Sequence, residues 1–301
     1  MAQWQTIIPI RGIDLSPDQR FDFAEGMTLE PLPDWVSSHP WLDKLGQQVK
    51  QSVQKATHGL VINYEAEALG SPDPAWQGPD PKSIQVVKYE LAVLANFALW
   101  LSCPSPVRLA CVIHAELRDS GPMVKYVGTA PRVFHHPKDS DQSPSTKDFK
   151  LAQRLHSSLA QLPRGGGSIW NAFQAVWAAL QTYVDIIRYF LFWVALESLF
   201  GPDNGLQISF KLSKRIAAFL AKDHNEAQEL SAKVKKGYRF RSKIAHGRLE
   251  ENPEAGNLLA DVEMFARYSL MYVLLNKDLS KTFSGKDREK YLDGLVPGGR
   301  R

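Results

Sequence analysis

Between Asn171 and Phe200 the chain carries only three charged side chains, Asp185, Arg188 and Glu197, among a nearly continuous apolar run. A helix that is apolar all round has to be buried, so this block predicts one long helix at the centre of a bundle. Its most apolar part, Tyr189 to Leu196, is bracketed by Arg188 and Glu197. That is far short of the roughly 20 residues needed to span a bilayer, and no membrane association is expected.

The segments that follow supply the rest of the bundle. Gly201-Pro202-Asp203-Asn204-Gly205 stops the central helix. A second helix is expected from about Ser209 to Lys222 and a third from about Glu226 to His246. A fourth, Glu254 to Asn276, carries Leu258, Leu259, Val262, Phe265, Ala266, Leu270, Val273 and Leu274 at helical spacing. Short connections make an antiparallel bundle the simplest arrangement.

The first 130 residues read differently. Residues 1 to 35 are short apolar runs broken by Pro9, Gly12, Pro17, Gly26, Pro31 and Pro33, a texture of strands and turns. An amphipathic helix is expected over Trp41–Ala56, a strand over Leu60–Glu65 and a Pro-rich loop over Gly70–Pro81. A helix capped by Ser83 should run from Ile84 to Leu101. Val107–Leu117 and Met123–Val127, joined through Ser120-Gly121-Pro122, form a predicted hairpin.

The expected class is therefore α+β: a mixed α/β domain over 1–130, then a linker with one helix over 131–168. A helical bundle follows over 169–277 and a polar tail over 278–301, whose terminal Gly-Gly-Arg-Arg is expected to be disordered. The linker helix falls near Lys147–Leu162, and glycines 165 to 167 read as a hinge, since they lack the lysine and spacing of a phosphate-binding loop. Two cysteines, Cys103 and Cys111, cannot build a disulfide framework. Buried thiols in a reducing, cytoplasmic compartment are expected, and the N-terminus lacks the pattern of a signal peptide.

Charge divides the halves. Residues 1–150 hold 14 Lys and Arg against 17 Asp and Glu, whereas 151–301 hold 22 against 15. Lys233, Lys235, Lys236, Arg239, Arg241, Lys243 and Arg248 form a block with no acid between Ser231 and Leu249. Such a field favours polyanions, and a solvated basic helix face is the plainer reading of the same residues.

Chemistry concentrates in the third helix. Its apolar register runs Leu230, Val234, Tyr238, Ala245, and Arg241 falls inside that stripe. A buried arginine needs a partner, for which Glu197 is the candidate. A second face runs Lys235, Arg239, Ser242, His246 at spacings of four, three and four, so these four are neighbours. Arginine can hold a phosphate by two parallel N–H bonds, and histidine exchanges protons near neutral pH. Arg241 and His246, five apart, lie about 140° around an ideal helix. They meet at one phosphate only if the chain unwinds near Gly247 or a second chain completes the site. His114 is expected to pack in the core, and His135-His136 to belong to a loop rather than to a metal site.

At these residues the chain resembles the HEPN domains, in particular the Apea-like group. The resemblance rests on Arg241-Ser242-Lys243-Ile244-Ala245-His246-Gly247 preceded by Tyr238-Arg239-Phe240. It also rests on Ala195-Leu196-Glu197-Ser198-Leu199-Phe200 and on Lys211 to Leu220, and it covers roughly residues 170–277. It implies a helical domain that commonly dimerises and often acts as a metal-independent ribonuclease in toxin, antiviral or RNA-processing systems. The family's arginine falls on Arg241, its polar residue on Ser242 and its histidine on His246. Arg239 fits the looser spacing equally.

The function implied is RNA cleavage by attack of the 2′-OH, leaving a cyclic phosphate and a 5′-OH, with no metal or other cofactor. His246 would serve as base or acid, Arg241 and Arg239 would hold the phosphoryl oxygens, and Ser242 would orient them. Lys233, Lys235, Lys236, Lys243, Arg248 and Tyr238 would contact the RNA, with a homodimer and an antitoxin or defence-system component as protein partners. The other readings are a non-catalytic RNA- or nucleotide-binding module, and a structural Arg241–Glu197 pair with His246 capping a helix.

Overall fold

A computed structural model of the chain describes residues 2–16, 18–24, 26–66, 84–104, 107–130, 143–203, 205–247 and 254–297. It is a mixed α/β protein with an N-terminal antiparallel sheet and a helical region. Two units part between Ala160 and Gln161, rather than at 130 and 169. The expected loops over Gly70–Pro81 and around His135-His136, and the terminal Gly-Gly-Arg-Arg, lie outside the described residues.

In the first unit the strands are β1 (Ala2–Arg11), β2 (Phe21–Ala24), β3 (Met27–Pro31), β4 (His58–Ala66), β5 (Arg108–Leu109), β6 (Cys111–Arg118) and β7 (Gly121–Thr129). They form one antiparallel sheet in the order β2-β3-β4-β1-β6-β7, with β5 also pairing to β1. Ile7 stands opposite both Val61 and Ile113. Because side chains alternate along a strand, these three share one face. There they bury Val36 of α1 (Asp34–Ser38) and Val53 of α2 (Gln47–Gln54), together with Trp41 and Leu42.

The other face carries Ile8, Leu60, Leu29 and Phe21, which follow one another in register across four strands. Phe21 stacks on Phe149 of α4 (Thr146–Ala160) with ring centroids 4.9 Å apart. Helix α3 (Ile84–Ser102) packs against α4. The predicted hairpin is present, Arg118 pairing with Gly121 across a two-residue turn.

Two expectations are corrected here. Trp41–Ala56 is not one helix: a 3-10 turn over Pro40–Lys44 and then α2 are separated by extended backbone at Leu45 and Gly46. Glycine gains least from helical backbone, which makes Gly46 the place to break. The linker helix is also no linker, because α4 packs against β2, where Phe149 stacks on Phe21, and against α3, with Ala152, Leu155 and Leu159 buried.

The second unit holds α5 (Ser168–Leu180), α6 (Asp185–Phe200), α7 (Ile208–Leu220), α8 (His224–Ala245) and α9 (Ala255–Leu275). After them come α10 (Lys277–Ser284) and α11 (Arg288–Asp293). The long apolar block is thus two helices, broken at Gln181–Val184. The Thr182 hydroxyl donates to the Ala178 carbonyl at 2.9 Å, and Val184 is extended. A β-branched pair around Tyr183 favours that break, and Asp185 then suits the positive N-terminal end of α6. Helix α6 packs against α5, α7, α8 and α9 and is the centre of the unit.

The polar tail is folded too. Leu279, Phe283, Leu292 and Leu295 are buried, and two arginines fasten the segment to the end of α6. Arg215 donates to the Phe200 carbonyl at 2.9 Å and pairs with Glu289 at 2.5 Å and Asp293 at 2.7 Å. Arg288 donates to the carbonyls of Ser198, Leu199 and Gly201 and pairs with Asp203. Together they satisfy the carbonyls that a helix end leaves open and place cations at its negative pole. Among the described residues no helix is long and apolar enough to cross a membrane.

Candidate functional site

Helix α8 is polar along most of its 22 residues and depends on its ends. At its start the Asp223 carboxylate accepts from the Glu226 N–H at 2.9 Å, while Glu226 accepts from the Lys222 N–H at 2.6 Å. Such reciprocal capping satisfies two orphan donors. At its end the His246 N–H donates to the Ser242 carbonyl at 3.2 Å, and the Gly247 N–H to that of Ile244 at 3.0 Å. Gly247 has φ of 68°, the left-handed geometry that glycine adopts at helix ends. The helix therefore persists through Ala245, and the motif does not unwind before His246.

That regularity decides which side chains meet. Lys235, Arg239 and His246 are exposed, with the half-buried Ser242 between them on the same side of α8. Arg241 instead turns toward α6. Its Nη2 lies 3.1 Å from Oε1 of Glu197 and 3.3 Å from Oε2, so the pairing expected from the register is present. The guanidinium carbon sits 4.8 Å from the ring centroid of Phe190 and 5.6 Å from that of Tyr238. Within one chain, then, Arg239 shares a face with His246 and Arg241 does not.

Burial shapes the charges around the pair. It pushes the Glu197 carboxyl up, although the Arg241 charge and a hydrogen bond from Tyr238 oppose that rise. The Tyr238 phenol is also raised, by burial first and by the Glu197 charge second. Tyr238 stands half-buried, its ring edge-on to Trp193 at 5.3 Å. It is better placed to pack Arg241 than to lie open to a base.

Two of the basic residues are already engaged. Lys236 pairs with Glu254 at 2.7 Å and Lys233 with Asp261 at 3.7 Å. Lys243 is exposed, and Arg248 lies outside the described residues. Among the described residues no three His, Cys, Asp or Glu side chains stand together in a way that would hold a metal ion.

Three contributors escape a reading of the motif alone. Phe190 lies seven residues before Glu197, two turns along the same face of α6, so its contact with Arg241 was readable from spacing. Gly237 is buried against α6, where an added Cβ would come within 2.9 Å of the Trp193 ring. No sequence signal marks that approach. Finally, Glu197 lines an open cleft of about 570 Å³ at the end of α6, with Ser168, Asn171, Ser198 and Arg288 among its walls. Comparison of the chain with family models, curated proteins and solved structures found no match.

Proposed function

We propose that the protein is a metal-independent endoribonuclease of HEPN type, with Arg239, Ser242 and His246 on α8 as its reactive face. The observation that carries this reading is the alignment of Lys235, Arg239, Ser242 and His246 along one side of a helix that stays regular to its last residue. A phosphate lying on this ridge would meet a cation, a hydroxyl and a proton-exchanging group within two turns.

In the proposed reaction His246 takes the proton of an RNA 2′-OH, and the freed oxygen attacks the adjacent phosphorus. The bond from phosphorus to the 5′ oxygen breaks, leaving a cyclic phosphate, and the departing oxygen takes a proton from solvent water to become a 5′-OH. General acid–base assistance of this kind contributes about 10² to 10⁴ fold. Arg239 stabilises charge on the phosphoryl oxygens.

Arg241 reaches the same phosphate only from a second copy of the chain, because it lies five positions from His246, about 140° around a regular helix. A homodimer therefore belongs to the proposal, with the N-terminal unit selecting the RNA or sensing a trigger in a cytoplasmic toxin, antiviral or RNA-processing setting. An antitoxin or a defence-system component is its expected partner there.

The engagement of Arg241 by Glu197, which holds that arginine away from the His246 face, favours a second reading. In it the protein binds RNA or a nucleotide without cutting it. Cleavage of a labelled single-stranded RNA in EDTA separates the two. The nuclease reading expects cyclic-phosphate products that fall at least a hundredfold in His246→Ala, and equal rates for the two proteins would overturn it. Retention of RNA without products would establish the binding module.

A further inference from the structure

We infer that Glu197 is a removable clamp that withholds the Arg241 guanidinium from anions. The inference rests on the reading of the α8 face as a phosphate site, and it assigns that site an internal restraint.

A guanidinium binds phosphate best through two parallel N–H bonds along one edge. In Arg241 the Nη2 end is occupied by Glu197, at 3.1 and 3.3 Å from its two oxygens. Nε is buried with no hydrogen-bond partner among the described residues. The edge that joins Nε to Nη2 is therefore closed to an incoming anion, and the edge between the two terminal nitrogens is half taken. The Glu197 carboxylate adds a second obstacle, since its charge repels any phosphate that approaches Arg241.

The clamp is not needed to keep Arg241 in place. The guanidinium lies over the Phe190 and Tyr238 rings, and the Phe190 contact does not involve Glu197, whereas the Tyr238 hydroxyl is itself hydrogen-bonded to Glu197. The pair is also only partly buried, with side-chain exposures of 21% for Arg241 and 27% for Glu197. Both groups keep part of their surface in water, so breaking the pair costs less than breaking a deep ion pair. Glu197 is also one of the residues that border the open cleft at the end of α6.

The test compares the parent chain with Glu197→Gln, which keeps the shape of the side chain and removes its charge. Modification of Arg241 by an arginine-specific dicarbonyl, read by peptide mass spectrometry, reports access to the guanidinium without any RNA. Faster modification of Arg241 in Glu197→Gln, by about three- to tenfold for a pair between exposed and buried, is expected, with Arg239 unchanged as the internal standard. Inorganic pyrophosphate should protect Arg241 in the variant more than in the parent. An unchanged Arg241 rate in a variant that melts like the parent would overturn the clamp. If the amide fails to fold, Glu197→Asp, one methylene shorter, is scored by the same ratio. Single-stranded RNA affinity is measured in parallel. Tighter binding by the variant supports the clamp at the RNA site, whereas a released Arg241 with no RNA affinity in either protein would uphold the clamp and overturn the RNA reading.

Discussion

The Tyr189 phenol donates to the Gly237 carbonyl at 2.6 Å, tying the central helix to α8 one turn before Arg241. Gly237 permits this approach because it has no side chain. A Cβ there would stand 2.9 Å from Trp193 and 3.2 Å from the Tyr189 hydroxyl. In Gly237→Ala the helix gains about 1 kcal/mol of intrinsic propensity. Overpacking costs about 1–3 kcal/mol, and the fully buried Trp193 has little room to yield. A net loss of up to about 2 kcal/mol is expected in urea unfolding. Tyr189→Phe should cost about 1 kcal/mol, the value of a single buried hydrogen bond. A stabilised Gly237→Ala protein would show that α8 can move away from α6.

The C-terminal segment supports the second unit through Arg215. This side chain is 1% exposed, and its partners Glu289 and Asp293 both come from α11. Truncation after Gly285 leaves a buried guanidinium with the Phe200 carbonyl but neither carboxylate. Breaking a buried pair from one side costs about 3–5 kcal/mol. The truncated protein should melt well below the parent, or not fold in its second unit. Asp293→Asn, at a carboxylate 57% exposed, should shift stability by less than about 1 kcal/mol. Thermal unfolding followed by circular dichroism distinguishes the two variants.

What the chain disclosed in advance follows from where its forces are local. The hairpin turn before Gly121 and the limits of α4, α7 and α9 lie in short windows and were legible within two residues, whereas Pro9, read as a break between apolar runs, lies inside β1. The break at Thr182–Val184 was not, because apolar residues continue on both sides and mask the change of direction. The folding of the tail was hidden for another reason. Leu279, Phe283, Leu292 and Leu295 are too few to show a period, and Arg215, which holds α11, lies more than seventy residues away. At the site, the position of Arg241 on an apolar stripe was enough to point to Glu197. Contacts such as Tyr189 to Gly237 end on a backbone carbonyl, which leaves no mark in the residue type.

Acid should weaken the first unit before it affects ordinary carboxylates. Burial lowers His114 to about 4, and it also lowers His156 and His58. His114 is 4% exposed, with Nδ1 2.7 Å from the Thr6 hydroxyl. As pH falls below about 6.5 the unfolded histidine binds a proton while the folded one stays neutral, so stability declines until about pH 4. His114 alone should cost about 2 kcal/mol between pH 7 and pH 5. The carboxylates of Glu289 and Asp293, held below their usual range by Arg215, withdraw their contribution only as pH falls through about 4. The gap between the urea midpoints at the two pH values should therefore narrow in His114→Gln, with His156 and His58 keeping the remainder, if that variant folds at pH 7. An undiminished pH dependence would place the effect elsewhere.

The basic residues of α8 should not contribute equally to nucleic-acid binding, because some are already paired. Lys235 and Arg239 are exposed on the proposed reactive face. Lys233 and Lys236 face Asp261 and Glu254, and binding a phosphate through either would first have to break that pair. Each phosphate neutralised on a single strand adds about −0.7 to the slope of log affinity against log salt. Lys235→Ala and Arg239→Ala should each reduce that slope by about 0.7, and Lys233→Ala and Lys236→Ala by less than half as much. Fluorescence anisotropy of a single-stranded RNA between about 50 and 200 mM salt measures all four. Equal reductions would mean that the pairs to Asp261 and Glu254 open when RNA binds, so that the whole basic block, and not the ridge alone, carries the interface. A slope unaffected by Arg239→Ala would remove that residue from the phosphate path and leave Arg241 as the arginine of the site.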